Sequence, residues 1–332
     1  MTKLLLFVLF ISFNSYAIKY AIKVKFGTVA PAGTPWAQTL DDIAKQVKKD
    51  SKGEINIKTY LGGQLGGELQ ILQKIRRGNV QGGGLTSAAL ASVIPELDVL
   101  ELPYLFESSE EADYVLDNHL LEPFTKLFAK NGFVLVSWAE NGWRNIGHQS
   151  KAIKAPSDLE GEKMRSQESR VHLAFWKKLK ASPQAISTEE ALSALQTGVV
   201  NGFDNTALFT LAAEWHTAIK HFSITNHIYQ PAAVVYSQKF WDKRSDAEKK
   251  VLMGEGNGLA PGSRAAVRAL GDELIEVMKS SDIKIHRLSE SDKQAFKDLL
   301  LPIHKQLVSE IGGEAQKIYD LILKAKEEFK KK

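Results

Sequence analysis

Apolar and basic residues alternate through YAIKVKFGT from Tyr20, a period of two that predicts a strand stopping at Gly27. Past the Pro- and Gly-rich loop TVAPAGTPW, apolar residues recur at helical spacing as Trp36, Leu40, Ile43 and Val47. A second strand, INIKTY, runs into the glycines of GGQLGGE, and Leu69, Leu72 and Ile75 then mark a helix. Residues 80–85 predict a third strand ending at Thr86 and Ser87. Strand, helix, strand, helix, strand predicts a parallel α/β sheet, with ligands gathering at the carboxyl ends of its strands. Both glycine clusters read as tight turns at such strand ends.

Further on, Ser108 with Glu111 predicts a capped helix, a second helix follows to Asn131, and FVLVSW at 133–138 is strand-like. The polar segment 140–145, ENGWRN, predicts a crossing into a second domain, followed by a separate strand at 146–149. The stretch PSDLEGEKMRSQES at 156–169 reads as a loop feeding a short strand that presents Arg165. Helices are expected at 171–179 and 188–197, strands at 202–205, 232–236 and 284–288, and interrupted helix elsewhere up to the C-terminus. Acidic pairs at Asp41-Asp42 and Glu189-Glu190 are expected at helix starts.

Composition narrows the compartment. Lys3, an apolar run at 4–13 and small residues at Ser15 and Ala17 read as a secretory signal over 1–17, since the run is half the ~20 residues a membrane span needs. The absence of cysteine excludes disulfides, thiolate metal sites, cysteine nucleophiles and a lipid-modified N-terminal cysteine. A secreted protein without a lipid anchor is expected. The net charge of +4 is mild and much of it sits in the tail KAKEEFKKK, which gives no footprint for nucleic acid.

No GxSxG elbow, phosphate-binding GxxxxGK[ST] loop or HExxH zinc helix is present, and the eight histidines are scattered. No catalytic residue, cofactor or metal ligand is therefore expected. What remains is arginine and amide chemistry at strand ends: Arg144, Arg165 and Asn205. An arginine fork matches a carboxylate bidentately and stays charged. Other readings stay open, a surface ion pair for Arg144 and a structural pair with Glu162 or Glu168 for Arg165.

Six segments in order, GTVAPAGTPW, YLGGQLGGE, LPYLF, GWR, PSDLEGEKMR and ALQTGVVNGFDN, together resemble the solute-binding (DctP-like) subunit of tripartite ATP-independent periplasmic (TRAP) transporters. The resemblance covers essentially the whole chain after the signal. It implies a two-domain α/β periplasmic binding protein of type II-like form, with an interdomain cleft, several chain crossings and long C-terminal helices. The expected division is 18–142 plus 231–270 for one domain, 143–230 plus 271–311 for the other, and a helix over 312–332 packing across both. By the resemblance Arg165 pairs with a ligand carboxylate, Arg144 is the second basic residue of the pocket and Asn205 the amide that fixes the ligand. The loops carrying Trp36 and Thr86 are expected to fold over the ligand.

The chain departs from the family pattern at Ser166, Gln167, Asn201, Phe203 and Asp204. Phe203 and Gln167 are expected in the pocket, and Phe203 would favour a monocarboxylate with an aliphatic or aromatic body. The function implied is capture of a small organic acid by hinge closure, by a monomer, and its delivery to TRAP membrane subunits. A ligand-presenting subunit for a receptor and a secreted hydrolase are the alternatives.

Overall fold

Alternation in the first strands decides which side faces the core: Val24 and Phe26 of β1 (Ile22–Gly27) and Ile55 and Ile57 of β2 (Ile55–Tyr60) are buried, while Lys23 and Lys25 are exposed. The computed structural model describes residues 22–332, so the expected signal lies outside the described residues. The remaining strands are β3 (Gly82–Thr86), β4 (Phe133–His148), β5 (Lys163–Ser166), β6 (Ser182–Ala185), β7 (Gly202–Asn205), β8 (His221–Ser237) and β9 (Lys284–Arg287). They form one sheet in the order β2-β1-β3-β8-β4-β7-β5-β6, with β9 beside β8.

Two long antiparallel strands organise this sheet. The far end of β8 pairs β3 at Gly82–Thr86, whereas its near end pairs β9 at residues 221–224. Likewise β4 pairs β7 only through residues 145–148. The sheet is thus two half-sheets, parallel β2-β1-β3 on one side and parallel β6-β5-β7 on the other, joined through β4 and β8. Helices cover both, and three apolar clusters hold them, two of them centred on β1-β2 and on β7. The architecture is a two-lobed α/β fold.

Four local expectations need correction. The polar segment 140–145 does not interrupt the chain's strand; β4 runs through it, because bulges at Leu135/Ser137, Glu140/Gly142 and Arg144/Ile146 absorb its irregularity without ending the ladder. β8 likewise begins eleven residues earlier than its apolar part suggests, its polar residues Ser223, Thr225, His227 and Gln230 being buried and bonded. Gly82, Gly83 and Gly84 are strand residues and not a turn. A Cβ on Gly84 would lie 2.7 Å from the Trp36 indole, so the bare glycine is what lets the ring lie against β3. Asp41 and Asp42 sit in the middle of the helix Pro35–Asp50, which starts instead at Thr34, whose Oγ1 accepts from the Ala37 amide at 3.2 Å.

The C-terminal helices brace the molecule. Glu290–Leu300 packs on Arg170–Lys178, and Ala315–Phe329 on the segment 95–120. There Lys326 reaches the Leu105 carbonyl and lies 3.3 Å from Glu111. Among the described residues no helix is long and apolar enough to cross a membrane.

Candidate functional site

The turn Pro156–Leu159 is locked by Asp158, whose carboxylate accepts the amides of Lys154 and Ala155 at 2.7 and 2.8 Å. It feeds β5, where alternation sends Met164 into the core and Arg165 to the opposite face, at the strand's carboxyl end. Arg165 is 2 % exposed. Its Nε donates to the Ile186 carbonyl at 2.9 Å, and its guanidinium lies over the Trp215 ring, 5.1 Å from the centroid. Its two terminal nitrogens have no protein partner among the described residues. Neither Glu162 nor Glu168 pairs with it: Glu162 is bound to Lys151, His148 and Asn201. Burial, with Arg144 nearby, lowers the Arg165 pKa to about 10, which leaves it charged at neutral pH.

Arg144 is different, its fork being already committed. Nε bonds Asp204, one terminal nitrogen donates to the Asp204 carbonyl at 2.5 Å, and the other to Gln230 Oε1 at 2.7 Å. Gln230 is fully buried and fixed at both ends. Its oxygen also accepts from Asn141 Nδ2 at 2.6 Å, and its nitrogen donates to Glu101 at 2.6 Å and to Gln167 Oε1 at 2.7 Å. Asn205 Oδ1 is taken by the Thr206 amide at 2.8 Å. With their oxygens occupied from behind, Gln167 and Asn205 have no partner for their side-chain N–H groups among the described residues. An amide oriented in this way is a donor to whatever fills the cleft.

The buried charges behind this layer are paired. Burial opposes ionisation of Asp204, but Arg144, His172 and His227 outweigh it and hold the carboxyl well below its usual range. His172 also bonds Glu101 at 2.6 Å, and Ser87 Oγ lies 2.5 Å from the other oxygen of Glu101, so this network ties one lobe to the other.

A small cavity of about 30 Å³, partly open to solvent, collects Trp36, Thr86, Arg144, Arg165, Gln167 and Asn205 from segments far apart in the chain. Phe203 is not among them. It is fully buried in the β7 cluster, its ring covers Gly147, and it meets Trp215 edge-on at 5.0 Å. Parallel pairing with Arg165 puts it on the same face but one layer deeper, so it props the indole that props the arginine. The expectation of an apolar far wall built by Phe203 therefore falls away. Sequence reading missed Glu68, Asn141, Thr188 and Phe209, which also line the cavity, and Trp215 and Gln230 behind it. The LGGE turn was the available signal for Glu68; nothing local marks the others.

Larger hollows lie elsewhere. One of about 430 Å³ sits between the helix Pro35–Asp50 and residues 251–266, lined by Ile43, Val47, Val136 and Leu252 without any cation. The charge, the oriented donors and the strand ends all converge on the smaller one. Among the described residues no group of three or more His, Asp or Glu side chains could hold a metal.

Two α/β lobes joined through shared long strands, with a desolvated guanidinium and donors facing the cleft between them, define a binding protein for a small anion. The chain belongs to the bacterial extracellular solute-binding proteins, family 7 (DctP), whose model matches residues 26–311. These are the solute-binding subunits of TRAP transporters. The chain is 28% identical over 276 residues to a solute-binding protein of Verminephrobacter eiseniae, covering 83% of this chain and 82% of that one. It is 27% identical over 308 residues, 90% of each chain, to the C4-dicarboxylate-binding periplasmic protein DctP of Rhodobacter capsulatus. Among solved structures, the sugar acid binding protein DctPAm of Advenella mimigardefordensis, in complex with galactonate, superposes with a TM-score of 0.87 at 26% identity, covering 92% of this chain and 99% of that one.

Proposed function

We propose that this protein captures a small organic carboxylate in the periplasm, by closing its two lobes over it, and delivers it to TRAP membrane subunits. The observation that carries the reading is the unpaired end of Arg165, a charged fork at 2 % exposure with Nε and the ring face already fixed. A buried guanidinium with two unmet donors is costly unless an anion completes it. Gln167 and Asn205 supply further N–H donors beside it, and Arg144 supports the layer from behind without offering its own fork. The relatives that bind a C4-dicarboxylate and galactonate favour the same class of ligand.

The binding step follows from where these groups sit. Arg165, Gln167 and Asn205 come from one half-sheet, Trp36 and Thr86 from the other, so a ligand held by the first set is enclosed when the second approaches. The bulge at Glu140/Gly142, opposite Gln230, lies where β4 and β8 pass between the halves and is the natural flexure. Closure excludes water and strengthens the ion pair, and the ligand drives it only as far as it binds the closed form better. The division into 18–142 plus 231–270 and 143–230 plus 271–311, the cleaved N-terminal signal, the monomeric state and the lack of catalytic turnover belong to this reading.

Mass spectrometry of the acid that co-purifies with the protein tests it. Recovery of the same organic acid, chemically unaltered after incubation at 37 °C, is expected. Conversion of the acid would replace capture by catalysis, and a bound cation or neutral lipid would overturn the carboxylate.

A further inference from the structure

Two glycines of the turn after β2 are glycine for different reasons. Gly63 stands at φ +73°, which its backbone requires. Gly67 stands at φ −63° and ψ 167°, where any residue fits. As the N-cap of the helix Glu68–Arg77 it would serve better as Ser, Thr, Asp or Asn, and no side chain caps that end. The first amide of the helix to be bonded is that of Ile71, to the Gly67 carbonyl at 2.9 Å; those of Glu68, Leu69 and Gln70 have no partner among the described residues. The space of the missing side chain is filled from the other lobe. A Cβ on Gly67 would lie 2.8 Å from Glu189 Oε2, and one on Gly63 3.2 Å from Glu189 Oε1.

Glu189 stands in the first turn of the helix Thr188–Gln196, which joins β6 to β7 in the half-sheet that carries Arg165; the glycine turn belongs to the opposite half-sheet. Its neighbour Glu190 is held within its own lobe, accepting from Ser187 Oγ at 3.0 Å, whereas Glu189 has no hydrogen-bond or ion-pair partner among the described residues. Thr188 and Glu68, next in the chain to Glu189 and Gly67, both line the cavity, so the contact lies at its rim. Unmet amides and the helix dipole favour a carboxylate at this helix end. The like charge of Glu68 opposes it only weakly, because burial raises that carboxyl to about 7 and its oxygens are turned to Thr86. Building on the carboxylate-capture reading, we infer that Glu189 is the latch of the closed protein: its carboxylate docks on the uncapped end of the helix Glu68–Arg77 across the cleft and slows release of the captured acid. Separation of the lobes withdraws it and returns the helix end to water.

Stopped-flow tryptophan fluorescence, to which Trp36 and Trp215 beside the cavity contribute, measures release of the tightest binder among succinate, gluconate and hexanoate. Glu189→Ala is expected to release that acid about three-fold faster or more, the scale of one charge at a helix terminus. The melting temperature of the acid-free variant stays that of wild type, because the latch is open there. Gly67→Ala, whose methyl intrudes on the carboxylate, speeds release in the wild-type background and has no further effect once Glu189 is alanine. Unchanged or slower release from Glu189→Ala, an equal Gly67→Ala effect in both backgrounds, or a lowered acid-free melting temperature in Glu189→Ala overturns the latch and leaves carboxylate capture standing. Failure of every probe to bind, or binding that survives Arg165→Ala undiminished, counts against carboxylate capture and the latch together.

Discussion

Gln230 carries no charge, yet the direction of the donors in the cleft depends on it. Its oxygen faces Arg144 and Asn141 and its nitrogen faces Glu101 and Gln167, so the surrounding charges allow one orientation. Gln230→Leu would keep the volume while leaving the buried Arg144 and Glu101 each short of a partner, at about 1–3 kcal/mol per unsatisfied group. The expected outcome is a lower melting temperature together with weaker ligand binding, read by calorimetry on the same sample, because Gln167 loses the bond that turns its N–H groups inward. No sequence signal marks Gln230, since its partners lie 63 to 129 residues away. Arg165 was legible for the opposite reason, standing at the end of a short strand after a turn with its own local lock. A second test concerns Glu162. Burial opposes its ionisation, but Lys151, Asn201 and His148 outweigh that and hold it at about 2, below its ordinary 4.5. Its contribution to stability is therefore present above pH 4.5 and lost as pH falls toward 2. The difference in melting temperature between wild type and Glu162→Gln should shrink across that window; a constant difference would show that Glu162 contributes no charge-dependent stability.

The strands that place these side chains were unevenly readable. β1, β2 and β5 declare themselves through alternation or a defined turn, and the helix starting at Ser108 through its cap, whose Oγ accepts from the Glu111 amide at 3.1 Å. β4 and β8 hide because polar residues occupy buried positions where they cross between the lobes, so hydrophobic patterning sees only their outer, apolar ends. β6, SPQA, hides because it contains Pro183, tolerated there since β6 is the edge of the sheet and pairs β5 alone. β7 was found, but its faces were not: Asp204 turns to Arg144 and Phe203 to Trp215. Phe203→Leu tests that assignment. Loss of the edge-on ring contact should cost about 0.5–3 kcal/mol of stability in denaturant unfolding. Ligand affinity should stay within about three-fold, a shift under ~1 kcal/mol. A variant of wild-type stability with altered ligand preference would return Phe203 to the pocket wall.

For the molecule as a whole, two half-sheets sharing β4 and β8 explain how a site can be assembled from distant segments and still open. The outer strands of each half never pair with those of the other, so the lobes are linked through two continuous strands, a buried polar network and the C-terminal helices. The six segments shared with the family mark this architecture in the sequence, because most of them supply strand ends facing the cleft; the residues behind the cleft are fixed by packing and leave no motif. The proposed capture rests on the Arg165 fork, whose end is unmet among the described residues, since Arg144 is spent on Asp204 and Gln230. The measurement that bears on this most directly is isothermal titration of the co-purifying acid into wild type and Arg165→Ala, with folding of the variant checked by its melting curve. The variant is expected to lose about 2–5 kcal/mol of binding free energy, the range for removing one member of a buried charge pair. A folded Arg165→Ala protein that binds the acid with wild-type affinity would contradict the account.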